Sequence, residues 1–431
     1  MHMGLKERTA MSNIPSMISL EEARALVVSH ASVLPAETVP LLDAIGRVAA
    51  ADVKSDMDVS PFAHAAMDGF AVHASDLAEA SEQSPVELDV IADVPAGSTY
   101  EGPIAPGRCV RIMTGAALPA DADSVVKYEI VETVSGDGKT GSRVRFSEPC
   151  KLGNNVRQPG EEAREGETIV HEGEVIHPAG IGFLAGCGAL EVAVRRRPRV
   201  AVIPIGSELV EPPAKPGPGH IRNSNGYAMA ACAIDAGATC DILPIVIDDE
   251  DLLAQAVERA AAEYDFVVTT GGASNGDFDF IKPVVERLGT LYMTTVNMRP
   301  GKAQTFGLVN GTPVFGLPGN PAAAYMGFSL IIRPALRAMQ GYAALEHPCV
   351  KARITSSKKK KDPRRIFSRA TIARGADGEL EVTPAKNQSS GLFGVIQKSN
   401  CVAIMPEGLD PVLEGDMVEC ILLDAPEDIV L

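Results

Sequence analysis

The chain has 431 residues, an apolar fraction of 45% and a net charge of −17. Single cores rarely grow past roughly 250–300 residues, so two to four globular domains are expected. The acidic balance argues against nucleic acid as the main partner, and the most apolar long stretch, 179–194, is cut by glycines and Glu191 and is too short to span a bilayer.

Eight cysteines form no C-x-x-C pair and have no histidine at zinc spacing, which reads as free thiols in a reducing cytoplasm. No charged segment followed by an apolar run opens the sequence, so a cytoplasmic location is expected. Residues 1–18 read as a flexible leader. SLEEARALVVSH follows, with Ser19 as N-cap and Glu21 and Glu22 in the first turn of an amphipathic helix. A second helix is expected over 41–51. VSPFAHAAMDGFAVHASD (59–76) reads as an extended segment, a turn at Asp68-Gly69 and a strand over 70–73. Asp68 in that setting is a turn former by its chemistry alone. The next stretch is rich in β-formers, Gly and Pro and contains GRCVRIMTGAALPADADSVVKYE with Thr114; a β-sandwich or barrel-like insert over roughly 55–145 fits it. KLGNNVRQPGEEAREG, carrying Arg157, is a charged glycine-rich loop, followed by a hairpin-like stretch over 168–175 and a helix over 179–187.

From 199 to 340 strands and helices alternate, as in a doubly wound α/β domain. Strands are expected at 199–205, 242–247, 266–270, 291–296, 305–309 and 314–317, with helices at 225–236, 251–262, 281–288 and 321–339. In such sheets ligands bind beyond the carboxyl ends of the strands. The loops there hold Glu208, Asp248 and Asp249, the TTGGASNGDFDF turn (269–280) and GLPGNP (316–321). The first of these turns runs from a buried strand through glycines to a helix, an arrangement that aims backbone N–H groups at an anion. Asp277 and Asp279 share that turn, and acids beside a phosphate cradle call for an intervening hard divalent cation. Taken singly, each acid reads better as a cap or a solvated loop residue. RPGKAQTFG sets Arg299 and Lys302 around a turn, as suits a phosphate or oxyanion. Beyond residue 341 the pattern turns to strands, and a small all-β domain is expected over 346–431. Its basic run KKKKDPRR (358–365) reads as a solvated loop.

Six strings, AMDGFAV, RIMTGAALP, PRVAVIPIGSEL, TTGGASNGDFDF, RPGKAQTFG and GLPGNPAAA, occur in the order in which they stand in the molybdopterin molybdenumtransferases. From about residue 19 onward the chain resembles that family, which includes bacterial MoeA and the gephyrin E domain. The resemblance implies a multidomain α/β plus β architecture. Its parts are a helical/linker domain (19–54 and 146–180), a β-rich domain (55–145), a doubly wound molybdopterin-binding α/β domain (181–340) and a C-terminal small β-barrel (346–431). It implies insertion of molybdate into adenylylated molybdopterin, with release of AMP assisted by Mg²⁺. It also implies a homodimer in which the α/β domain of one subunit works with the MDG-bearing domain of the other. A molybdopterin adenylyltransferase and molybdoenzyme clients are the protein partners in prospect.

By the same resemblance Asp68, Thr114, Glu208, Asp279 and Lys302 are catalytic. Gly271, Gly272, Ser274, Asn275, Gly276, Arg299, Pro318, Gly319, Asn320, Arg157, Arg369 and Ser390 bind the pterin nucleotide or the oxyanion, and Glu208, Asp248, Asp249 and Asp279 hold the metal. The chain departs from the family pattern at Ser207 (an acid in G-D-E-L), at Arg299 and Ala303 (K-P-G-K-P), at Glu162 (an aspartate) and at 63–65 (AHA for D-x-S). Two other readings remain open on the sequence: a molybdopterin adenylyltransferase, which the α/β unit alone also resembles, and a non-catalytic cofactor carrier or scaffold.

Overall fold

The computed structural model describes residues 17–272 and 280–423, which fall into two compact units, 38–194 and 17–37 joined with 195–423. No described helix is long and apolar enough to cross a membrane.

The unit 38–194 is built on a six-stranded sheet whose spatial order is Ser124–Lys127, Gly69–Val72, Arg108–Ile112, Val86–Val94, Arg143–Phe146 and Glu132–Ser135. All pairings are antiparallel except Val86–Val94 with Arg108–Ile112. Alternating side chains feed two cores, Phe70, Leu88 and Phe146 on one face and Val94, Ile112 and Val125 on the other, so the sheet is buried on both sides. Gly69 is obligatory in this strand, because a Cβ there would lie 2.1 Å from the Val126 carbonyl oxygen. Two expectations fail in this unit. Instead of a helix over 41–51, only the 3₁₀ turn Leu41–Ala44 forms, and Gly46 at φ +72° ends it. Val48 and Ala49 then bridge to Val175 and Val194, so long-range pairing overrides a helical spacing. Thr168–Val170 likewise pairs antiparallel with Val53–Lys54 rather than folding back on 171–175 as a hairpin.

In the other unit the central sheet runs Thr239–Ile242, Arg199–Pro204, Phe266–Thr270, Thr312–Leu317, Ala303–Val309 and Gly289–Thr295. The first four strands are parallel, and the last two are joined by antiparallel pairings because Ala303–Val309 runs against the rest. Val200, Val202, Phe266 and Val268 enter one core while Ala201, Ile203 and Val267 enter the other, so both faces are covered. This explains the continuous apolar runs in these strands. The strand expected over 242–247 ends at Ile242, and Pro244 breaks the run beyond it. The helices Ser224–Asp235, Glu250–Glu263, Ile281–Leu288 and Pro321–Gly327 flank the sheet, and Pro321–Gly327 continues through a buried π-helical turn, Phe328–Ile332, into Arg333–Met339. The helix Leu20–Ser29 carries the capping box expected at Ser19 and Glu22 and packs Leu20, Ala23 and Val27 on the same core.

Five strands, Arg365–Arg374, Leu380–Pro384, Cys349–Ile354, Met417–Leu422 and Cys401–Met405, form a ring that closes through the pairing of the first with the last. Closure leaves no free edge in this small barrel. The short strand Met298–Arg299 pairs with Arg365 and Ile366, which joins the turn after it to the barrel.

Candidate functional site

Three strand ends of the parallel sheet converge on one cavity of about 560 Å³. Arg199–Pro204 delivers Ile205, Gly206 and Glu208, Phe266–Thr270 delivers Gly271 and Gly272, and Thr312–Leu317 delivers Pro318, Gly319 and Asn320. The turn before Ala303–Val309 adds Gly301 and Lys302, and the segment before Glu250–Glu263 adds Asp248.

Close backbone approach makes this convergence possible. Gly271 (φ +88°) donates its N–H to the Leu317 carbonyl, and a Cβ on it would lie 2.2 Å from the Ile205 oxygen. The Glu208 carboxylate folds back over Gly206, so that a Cβ there would meet it at 2.4 Å. Asp248 and Ser207 are cross-bonded: Ser207 N donates to Asp248 Oδ2 at 2.9 Å and Asp248 N donates to Ser207 Oγ at 3.0 Å. The serine that replaces an acid of the family pattern thus fixes the acidic loop. Asp249 stands outside the lining. It is the N-cap of Glu250–Glu263, its Oδ1 accepting from Leu252 N. Ser274, Asn275, Gly276 and Asp279, with Asp277, lie outside the described residues.

A second cavity, of about 620 Å³, shares Gly301, Asn320 and Ala323 with the first and reaches the barrel. Arg299, Arg369 and Ser390 line it, together with Lys358 to Lys361 and Arg364. Arg369 is 1% exposed; one Nη donates to the Ser389 carbonyl at 3.0 Å, while its buried Nε has no partner among the described residues. Burial pushes its pKa down from the usual guanidinium value. A buried cation with an idle N–H is costly unless an anion completes it. The Ser390 carbonyl accepts from Ala322 N at 2.8 Å, which holds this barrel loop against the GLPGNP segment.

Three side chains that sequence reasoning passed over shape these cavities. Asn225 Nδ2 donates to the Gly319 carbonyl at 2.8 Å and leaves its buried Oδ1 unpartnered among the described residues. In RNSNG an asparagine reads as a cap, and Asn223 does fill that role. The fully buried Gln304 holds the Gly301 carbonyl from within the turn. Asp362 accepts from Arg364 and, at 3.0 Å, from Arg299. The Arg364 bonds, ahead of the other causes, hold its carboxyl far below the usual range.

Asp68, Thr114 and Arg157 belong to the other unit. Asp68 Oδ1 accepts from both Thr114 N and Thr114 Oγ1 at 2.7 Å, which lowers its pKa. Arg157, on Val156–Arg157 opposite His64, forms an exposed ion pair with Glu161 at 2.9 Å.

A doubly wound α/β domain with glycine loops at its strand ends, joined along one cationic cavity to a closed β-barrel, defines the class of fold, and comparison with known proteins narrows it. Family models match over three stretches: the MoeA N-terminal region (domain I and II) at residues 18–188, a probable molybdopterin binding domain at 201–338, and the MoeA C-terminal region (domain IV) at 351–423. The chain is 36% identical over 388 residues to the molybdopterin molybdenumtransferase of Bacillus subtilis (strain 168), covering 90% of each chain. It is 35% identical over 417 residues to that of Staphylococcus aureus (strain COL), covering 96% of this chain and 98% of the relative. A crystal structure of the molybdopterin biosynthesis moeA protein from Pyrococcus horikosii superposes with a TM-score of 0.79 at 32% identity, over 95% of this chain and 100% of that one. The chain belongs to the molybdopterin molybdenumtransferase family, transferases of molybdenum cofactor biosynthesis.

Proposed function

We propose that this protein inserts molybdate into adenylylated molybdopterin and releases AMP, with the pterin nucleotide in the first cavity and the oxyanion entering through the second. One observation carries the reading: Glu208, Asp248 and Lys302 open into a single glycine-walled cavity that adjoins a cationic one holding the incompletely paired Arg369. Lys302 and the backbone N–H groups of Gly272, Gly319 and Asn320 bind phosphate oxygens. Arg369 and Ser390, with Arg299, hold the tetrahedral dianion by charge-assisted hydrogen bonds. Asp68, kept ionised by the two Thr114 hydrogen bonds, and Arg157 orient the reacting group in this reading. Ser274, Asn275, Gly276 and Asp279 extend the cradle and its acid.

The donor set fits Mg²⁺ in the way that ion is usually held, by one or two carboxylates plus substrate phosphates. Glu208 and Asp248 supply two hard oxygens to the cavity, and no larger acidic or histidine cluster occurs among the described residues. Bound there, the ion would polarise the phosphate to be cleaved. Asp249, committed to its helix cap, supports the loop from behind. A homodimer, the four-domain division given above, and a reducing cytoplasm, in keeping with eight unpaired cysteines, complete the proposal.

The test is molybdate-dependent AMP release from adenylylated molybdopterin, with and without Mg²⁺. Lys302→Ala and Glu208→Gln should each lower it about 10²-fold or more. Unchanged rates in both variants refute the site. AMP transfer from ATP without molybdate would instead favour an adenylyltransferase, a reading that coverage of the MoeA N- and C-terminal regions does not support.

A further inference from the structure

The KKKKDPRR run exposes Lys359 and Lys361, as a solvated loop does, yet it is not loosely held. Its backbone is pinned: Lys358 exchanges hydrogen bonds with Val412 at 2.7 and 3.0 Å, and Gly408 N donates to the Pro363 carbonyl at 2.8 Å. The Lys360 ammonium, largely buried, is committed to the Pro406 carbonyl. Arg299 and Arg364 share Asp362. This leaves the ammonium groups of Lys358, Lys359 and Lys361 without an ion-pair partner among the described residues, all at the wall of the second cavity. No carboxylate is among the described residues lining that cavity.

Three like charges side by side on an ordered loop repel one another, and an anion docking among them relieves that repulsion. The whole chain, these lysines included, carries −17, so its net field opposes a dianion approaching from bulk. Arg369 and Ser390 already supply a floor for one tetrahedral dianion, so the lysines exceed what that single ligand requires.

We propose that Lys358, Lys359 and Lys361 form an outer oxyanion-capture site, which takes the tetrahedral dianion from solvent and raises its concentration at the mouth of the cavity floored by Arg369 and Ser390. The inference rests on the oxyanion reading of that cavity given above. The site recognises charge and not element, so molybdate, tungstate and sulfate compete there. Lys359 and Lys361 are exposed, and their replacement leaves the packing intact.

The experiment compares the full-length protein with a Lys359→Gln/Lys361→Gln variant, using molybdate as probe at ionic strengths of about 20 mM and about 500 mM. At low salt the variant's kcat/KM for molybdate should fall about five- to tenfold, through KM, while KM for the pterin nucleotide holds. At high salt the two proteins should converge to within about twofold. Equal kcat/KM at low salt, or the same deficit at both ionic strengths, overturns the capture site. Equilibrium dialysis of molybdate without the pterin separates this inference from the catalytic one. If the unaltered protein releases no AMP, the proposed reaction fails. The capture site then stands if the variant loses low-salt molybdate binding about five- to tenfold, and falls if the two proteins bind equally.

Discussion

Replacing Arg369 by methionine should separate stability from function. The side chain is 1% exposed, makes one hydrogen bond to Ser389 O and leaves Nε unpaired. Losing that charge-assisted bond costs about 1.5–3 kcal/mol. Removing an incompletely paired buried cation returns a desolvation penalty of several kcal/mol, and methionine refills most of the volume. The backbone bonds of residue 369 with Gln388 survive the change. The net expectation is a stability unchanged to about 2 kcal/mol higher, with molybdate-dependent AMP release reduced by about 10²-fold. Thermal unfolding with and without molybdate is the assay. The unaltered protein should gain stability as molybdate completes Arg369, by about 2.7 kcal/mol at one hundred times the Kd, and the Arg369→Met protein should not. A variant destabilised by more than about 2 kcal/mol that still shows the molybdate shift would refute the reasoning.

Asp362→Asn should weaken the protein by about 1–3 kcal/mol at pH 7, since both Arg299 and Arg364 lose their charged partner. The folded-state pKa of Asp362 is depressed, so its stabilisation is present above the unfolded value near 4 and lost as pH falls through the folded one. Denaturant midpoints of the two proteins should therefore differ at pH 7 and converge in acid. Thr114→Val should move the Asp68 pKa, followed by carboxyl carbon NMR, back up toward the ordinary aspartate range, because both lowering bonds come from Thr114 and one is its hydroxyl. An unmoved titration would contradict the pairing. Gly271→Ala should cost more than about 2 kcal/mol in unfolding midpoint, from a positive φ and a 2.2 Å approach to the Ile205 oxygen.

Much of this was legible in the chain itself. Continuous apolar runs marked the strands Phe266–Thr270 and Thr312–Leu317, and a capping box marked Leu20–Ser29, because those signals are local. Ordered glycine strings pointed to the strand-end loops, and Glu208, Asp248, Lys302, Gly319 and Asn320 do meet in one cavity. What escaped was set by partners distant in sequence. The stretch 41–51 lost its helix to bridges with residues 175 and 194, and Asp362 acquired its role from an arginine sixty-three positions away. The anchoring of the lysine run was hidden because nothing near it in sequence reveals Pro406 or Val412 behind it.

The most direct test of the account is a single-turnover mixture of the full-length protein, adenylylated molybdopterin, Mg²⁺ and limiting molybdate, in which AMP and pterin-bound molybdenum are counted together. The account predicts one AMP released for each molybdenum inserted and negligible release when molybdate is withheld. AMP release that ignores molybdate, or molybdenum insertion with the nucleotide still attached, would contradict it.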